Sequence, residues 1–218
     1  DRFEIFQDLK KKDPKIVVSP PTVYFNDSFD IAPLSGIANS KTIHCNENGY
    51  YSIYQSDRYG FNNPDEEWDK NEIEFFLIGD EMTHGACVNE PDTISGNLKK
   101  LNDTKNGVLN LGYGENGPLF EYATLREYLQ IKKVKRVLWF YYEGNDQRDD
   151  DHLANTFYMN YLETNFSQDL INRQEEIDKL LISWIEDTAD KFQNTKNKNK
   201  VKVFFKFVFD RFKLFNLR

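Results

Sequence analysis

The chain has 218 residues, 39% hydrophobic and 29% charged, which is enough to bury a full single core and is not the composition of a disordered chain. Its 28 Lys and Arg against 36 Asp and Glu leave a formal charge of −8. That balance argues against a nucleic-acid partner, because binding phosphate needs a basic patch.

Asp1–Lys12 reads as a short amphipathic helix, and the lysines at 10–12 and in 196–202 read as solvated. Residues 17–71 are rich in Pro, Gly, Asn and Tyr and read as irregular chain with short strands. Tyr50-Tyr51-Ser52-Ile53-Tyr54 has the aromatic content of a strand, and Gly60–Pro64 is a turn cluster. From Ile73 the rhythm changes. Strands are expected at Ile73–Ile78, Gly107–Leu111 and Val137–Tyr142. Helices are expected around Thr93–Leu101, Leu119–Leu129, Leu153–Leu162 and Gln168–Phe192, the last carrying a 3.6-residue stripe through Leu170, Ile177, Leu181 and Ile185. Residues 1–70 are therefore a lead-in segment and 71–218 an α/β domain. Alternating strand and helix imply a central parallel sheet with the site at the carboxyl ends of its strands. Val201–Phe209 fits a strand or a helix. The chain starts at Asp1 without Met and ends soon after six phenylalanines between 204 and 215. That many aromatics need a packing partner, and the chain reads as a fragment, incomplete at the C-terminus. No run of about 18 apolar residues predicts a transmembrane helix, and no signal peptide is read in these residues.

The most informative stretch is Phe75–Val88, FFLIGDEMTHGACV, where an apolar run enters Gly79-Asp80. Strand, sharp turn and helix is where α/β enzymes place a nucleophile. The stretch resembles the first signature block of the SGNH hydrolases, also called the GDSL esterases. Val108–Pro118, VLNLGYGENGP, resembles the second block, and Val137–Asp146, VLWFYYEGND, the third. Cys45–Trp68 resembles the lead-in segment of one bacterial subgroup. Three blocks in order, each ending an apolar run, imply a three-layer flavodoxin-like SGNH fold, and subgroup members carry a helix where Phe204–Leu217 stands.

In that family a Ser after Gly-Asp attacks an ester carbonyl, and a His from a late Asp-x-x-His takes its proton. The Ser N–H, a Gly N–H from the second block and an Asn from the third hold the oxyanion. Here Glu81 fills the nucleophile slot. Its charge opposes the charge developing on the substrate oxygen, so the resemblance implies a site that has lost serine-type activity, by nature or by introduction. Glu115 falls where the oxyanion Gly is expected, and a register one residue earlier puts Gly114 there. Asn145 is the third donor, or else caps its turn. Asp80, His84, Tyr113, Asn116 and Asp146 are the expected substrate-binding residues, while Tyr113, Trp139, Tyr141 and Tyr142 offer stacking surfaces, of which Trp139 and Tyr141 fit a core equally well.

The histidines are His44, His84 and His152. His84 lines the pocket or packs its loop, His44 is structural, and His152, beside Asp149–Asp151, is a surface residue at a helix start. None has metal-ligand spacing such as HExxH, and no cofactor or metal is expected. Cys45 and Cys87 are either two separate buried thiols or, as the resemblance brings the lead-in to the motif loop, a disulfide, which fits an extracytoplasmic or membrane-associated location. The reading is an esterase-like hydrolase fold for a small-molecule or glycan ester, carbohydrate acyl esters by analogy. The alternative is a non-catalytic module binding a glycan or partner through the same cleft.

Overall fold

The computed structural model describes residues 2–22, 25, 30–47, 49–102, 105–144 and 156–215, without the side chains of 2, 4, 156 and 196–215. The chain divides into two compact units, Asp1–Ile182 and Ser183–Arg218.

In the first unit, helix α1 (Arg2–Lys10) precedes a small mixed sheet of β1 (Ile16–Val18), β2 (Lys41–Ile43) and β3 (Ile53–Gln55). β1 pairs parallel to β2, and β2 antiparallel to β3. The lead-in segment therefore has a sheet of its own. The second sheet, order β5-β4-β6, is parallel throughout: β4 is Glu72–Ile78, β5 Gly107–Asn110 and β6 Lys133–Trp139. Between its strands run α2 (Glu81–His84), α3 (Ile94–Leu101) and α4 (Pro118–Tyr128), followed by α5 (Thr156–Met159) and α6 (Gln174–Phe215). Thr93 caps α3 by accepting the Gly96 N–H, the expected role of a hydroxyl at a helix start. The unit is mixed α/β with a three-stranded parallel sheet, and no described helix is long and apolar enough to cross a membrane.

The central strand β4 buries Ile73, Phe76, Leu77 and Ile78 completely, and all four residues of β5 are buried. Continuous apolar runs do this when both faces of a strand are covered. β6 departs from expectation. It starts at Lys133 rather than Val137 and ends at Trp139 rather than Tyr142. Lys133, Lys135 and Arg136 fit a strand here because β6 is a sheet edge, where exposed cations are ordinary, and because β4 supplies counter-charges. Glu72 pairs with Lys133 and Lys135, and buried Glu74 pairs with Lys135 and Arg136. Trp139 and Tyr141, which fit a core on sequence grounds, are 44% and 54% exposed.

The second unit, Ser183–Arg218, has a helical backbone through Phe215 as the continuation of α6, so Val201–Phe209 is helix. His152, Asp149–Asp151 and the first residues of the helix expected at Leu153–Leu162 lie outside the described residues.

Candidate functional site

The carboxyl ends of β4 and β5 carry two loops that meet. After Ile78, Gly79 must be glycine: a Cβ there would lie 2.1 Å from Thr83 Oγ1 and 3.1 Å from the Phe140 carbonyl oxygen. Asp80 then caps α2 by accepting the Met82 N–H at 3.0 Å, leaving Glu81 as the first helical residue. After β5 the chain continues beside β4, Leu111 donating to Leu77 and Tyr113 to Gly79. Gly112 passes under α2, and a Cβ there would meet His84 N and Thr83 Cβ at 2.6 Å. A Cβ on Gly114 would lie 3.6 Å from the Glu81 Cβ, so the two loops are in contact.

The next residue, Glu115, has φ +67°. An L-residue pays for that left-handed backbone and glycine does not. The position expected of an oxyanion glycine therefore has glycine's backbone and a glutamate side chain. The two registers also differ in what their amides do. The Gly114 N–H donates to His84 Nδ1 at 3.2 Å, whereas the Glu81 and Glu115 N–H groups have no acceptor among the described residues.

His84 is fully buried and does not line the cleft, contrary to a substrate-binding role. Because Nδ1 accepts from an amide, the ring proton sits on Nε2, which is 3.1 Å from the Tyr54 hydroxyl. Tyr113 stacks on the ring at 4.8 Å and His44 lies at 4.2 Å on a tilt. Burial, then the neighbouring His44, push its pKa well below the ordinary histidine range. His84 is thus a neutral structural ring that ties Tyr54 of the lead-in segment to the loop after β5.

Asp80 and Asn116 are likewise buried and off the cleft, Asp80 as the helix cap and Asn116 accepting from Thr22 Oγ1 at 2.7 Å. Tyr113 borders the cleft but is 1% exposed, with its hydroxyl donating to the Pro20 carbonyl at 2.8 Å, so it offers no stacking face. Asn145 and Asp146 lie outside the described residues.

The cleft encloses about 290 Å³. One wall is the loop pair, with Glu81, Ala86, Gly114 and Glu115. The other is the lead-in segment, with Ser19, Pro20, Pro21, His44, Cys45 and Glu47. Among the described residues three carboxylates line it and no Lys or Arg does. Among the described residues no group of three His, Cys, Asp or Glu is fit to hold a metal. Cys45 and Cys87 form a disulfide with Cα atoms 5.1 Å apart.

A polar network that sequence reading took for a turn cluster holds both loops. Buried Asp57 accepts from Trp68 Nε1 at 2.7 Å, Asn63 Nδ2 at 2.8 Å, and the Tyr59 and Phe61 amides at 2.9 Å. Asn63 exchanges two 2.8 Å bonds with the Asn110 backbone at the end of β5. Asn62 Nδ2 donates to the His84 carbonyl at 2.9 Å. The available signal was two adjacent amide side chains after a glycine, followed by Pro64 and, further on, Trp68. Burial raises the Asp57 pKa to about 6, against the opposing pull of its hydrogen bonds.

No protein-family model matches the chain, and no match was found among curated proteins or solved structures.

Proposed function

We propose that this cleft is that of an SGNH-type (GDSL) ester hydrolase on a flavodoxin-like sheet, in a form that has lost serine-type turnover. The observation that carries the reading is Glu115. Its φ of +67° puts a glycine backbone where the family's oxyanion glycine is expected, beside the helix start that carries Glu81. Among the described residues its amide and that of Glu81 are main-chain donors without an acceptor where the loops meet, which is what an oxyanion hole needs. The nucleophile slot is a carboxylate, so an ester would meet repulsion rather than attack. The proposed parent substrate is a small-molecule or glycan ester.

A second reading is favoured by the lining itself. Three carboxylates, Glu47, Glu81 and Glu115, with no cation beside them among the described residues, suit hydroxyl donors of a neutral sugar and oppose anionic ligands. A cleft that no longer cleaves esters is expected to act as a binding site for such a ligand.

The test is p-nitrophenyl acetate hydrolysis by the chain, by Glu81→Ser, by Glu81→Ser/Glu115→Gly, and by Glu81→Ser in a chain extended with a late Asp-x-x-His. No turnover is expected from the unmodified chain, and Glu81→Ser alone should recover little. Losses within a triad do not add, one missing member already costing about 10⁴-fold. Turnover by the unmodified chain that Glu81→Gln abolishes would make Glu81 catalytic and refute the reading. Calorimetric titration with neutral oligosaccharides tests the second reading, which fails if Glu81→Ala and Glu115→Ala leave any binding unchanged.

A further inference from the structure

The disulfide joins two unlike environments. Cys45 is half-buried on the cleft wall, at the base of the hairpin tip that carries Glu47. It is anchored independently of the bridge, since Ser52 N donates to its carbonyl at 2.9 Å and His44 N donates to the Ser52 carbonyl at 3.0 Å. Cys87 is 4% exposed, does not line the cleft, and has φ +57°. A left-handed backbone on a non-glycine residue persists only where its surroundings enforce it. Its neighbours Ala86, on the cleft wall, and Val88 are held by single amide bonds, to the Glu81 and Gly85 carbonyls.

We propose that the Cys45–Cys87 bridge is a reducible clasp on the cleft wall, opened by a thiol reductant that enters through the cleft and attacks Cys45. The reductant thiolate attacks the Cys45 sulfur, the sulfur–sulfur bond breaks, and its electron pair leaves on Cys87 as a thiolate. A second thiol of the reductant then attacks the reductant's own sulfur in the mixed disulfide, releasing the Cys45 thiolate and forming the reductant's own disulfide. Each bridge takes two electrons and two protons from the dithiol. Access selects Cys45 because the other sulfur is buried. Cys45 stays in place afterwards, whereas the bridge no longer enforces the left-handed backbone at Cys87, and the wall at Ala86 loosens. The proposal does not depend on what the cleft binds.

The oxidised chain is incubated with glutathione under native conditions, thiols are trapped at once with iodoacetamide, and adducts are located by peptide mass. Glutathione is expected on Cys45 and alkylation on Cys87, with the reverse pattern at least about tenfold rarer. An equal or reversed partition, or reduction no faster than global unfolding, would overturn the proposal. On the fully reduced chain, hydrogen exchange at Ala86 and Val88 should be at least about tenfold faster, with Phe76 and Leu109 unchanged. Unchanged exchange at Ala86 and Val88, or lost protection throughout, would equally overturn it.

Discussion

Replacing Asp57 by Asn tests the network beneath the cleft with a side chain of the same shape. Oδ1 still accepts from the Tyr59 and Phe61 amides, but the new amide nitrogen faces Trp68 Nε1 and Asn63 Nδ2, at present 2.7 and 2.8 Å from Oδ2. Two buried donors then oppose a third. At about 1–3 kcal/mol for each of the two opposed buried donors, the loss is about 2–6 kcal/mol, a large part of a domain's net stability. The pH dependence adds a second signature. The folded pKa of about 6 lies above the unfolded 3.8. The protonated carboxyl therefore favours folding fully below 3.8, and this contribution is lost as pH rises through 6. The pKa difference corresponds to about 3 kcal/mol, of which about 2 lies between pH 7 and pH 4.5. Urea unfolding of both proteins across that range is the assay. The parent's advantage over Asp57→Asn should grow by about 2 kcal/mol on acidification, whatever the exposed carboxylates do, since both proteins share them. An Asp57→Asn protein as stable as the parent at pH 7, or one whose disadvantage does not change with pH, would refute the reasoning.

Glu115→Gly should raise the melting temperature and Glu115→Val lower it. Relief of the left-handed backbone is worth about 1–2 kcal/mol, from which glycine's added unfolded-chain entropy subtracts about half. Two of the three tryptophans, Trp68 and Trp139, should separate cleanly. Trp68 is 2% exposed and bonded to Asp57, so Trp68→Ala should cost about 3–5 kcal/mol. Trp139→Ala, at a 44% exposed edge, should cost much less, and urea unfolding of the two variants against the parent measures the difference.

How much of this was legible depends on whether the signal is local. β4 and β5 were readable because burial on both faces demands unbroken apolar runs, and the Gly-Asp and Asn-x-Gly ends mark where the chain turns. The first half of β6 was not, because Lys133, Lys135 and Arg136 hide a strand whose counter-charges, Glu72 and Glu74, lie about 60 residues away on β4. His84 read as a pocket or loop residue because a lone histidine carries no pattern of its own. Its burial comes from His44, Tyr54 and Tyr113, contributed by three separate segments. Gly60–Pro64 read as a turn cluster because Gly, Asn and Pro are turn residues, and the polar residues around it read as irregular chain. Burying them requires the four donors that converge on Asp57, a fact of the fold rather than of the stretch.

That network also shows how far the shape of the cleft is independent of the Glu81 side chain. Asn63 fixes the end of β5, Asn62 fixes the end of α2, and His84 joins the two through the Gly114 amide. None of these bonds uses the side chain of Glu81. Glu81 contributes only its backbone carbonyl, which accepts from Gly85 and Ala86. The scaffold is therefore indifferent to which side chain stands at position 81. Glu81→Ser should change stability by no more than about 0.5 kcal/mol, as for an ordinary partly exposed position, and hydroxyl and carboxylate can be compared on one fold. Chemical denaturation of the two proteins at the assay pH decides it. A loss above about 2 kcal/mol would place the Glu81 side chain inside the scaffold, and the loops would then depend on the acid rather than merely tolerate it.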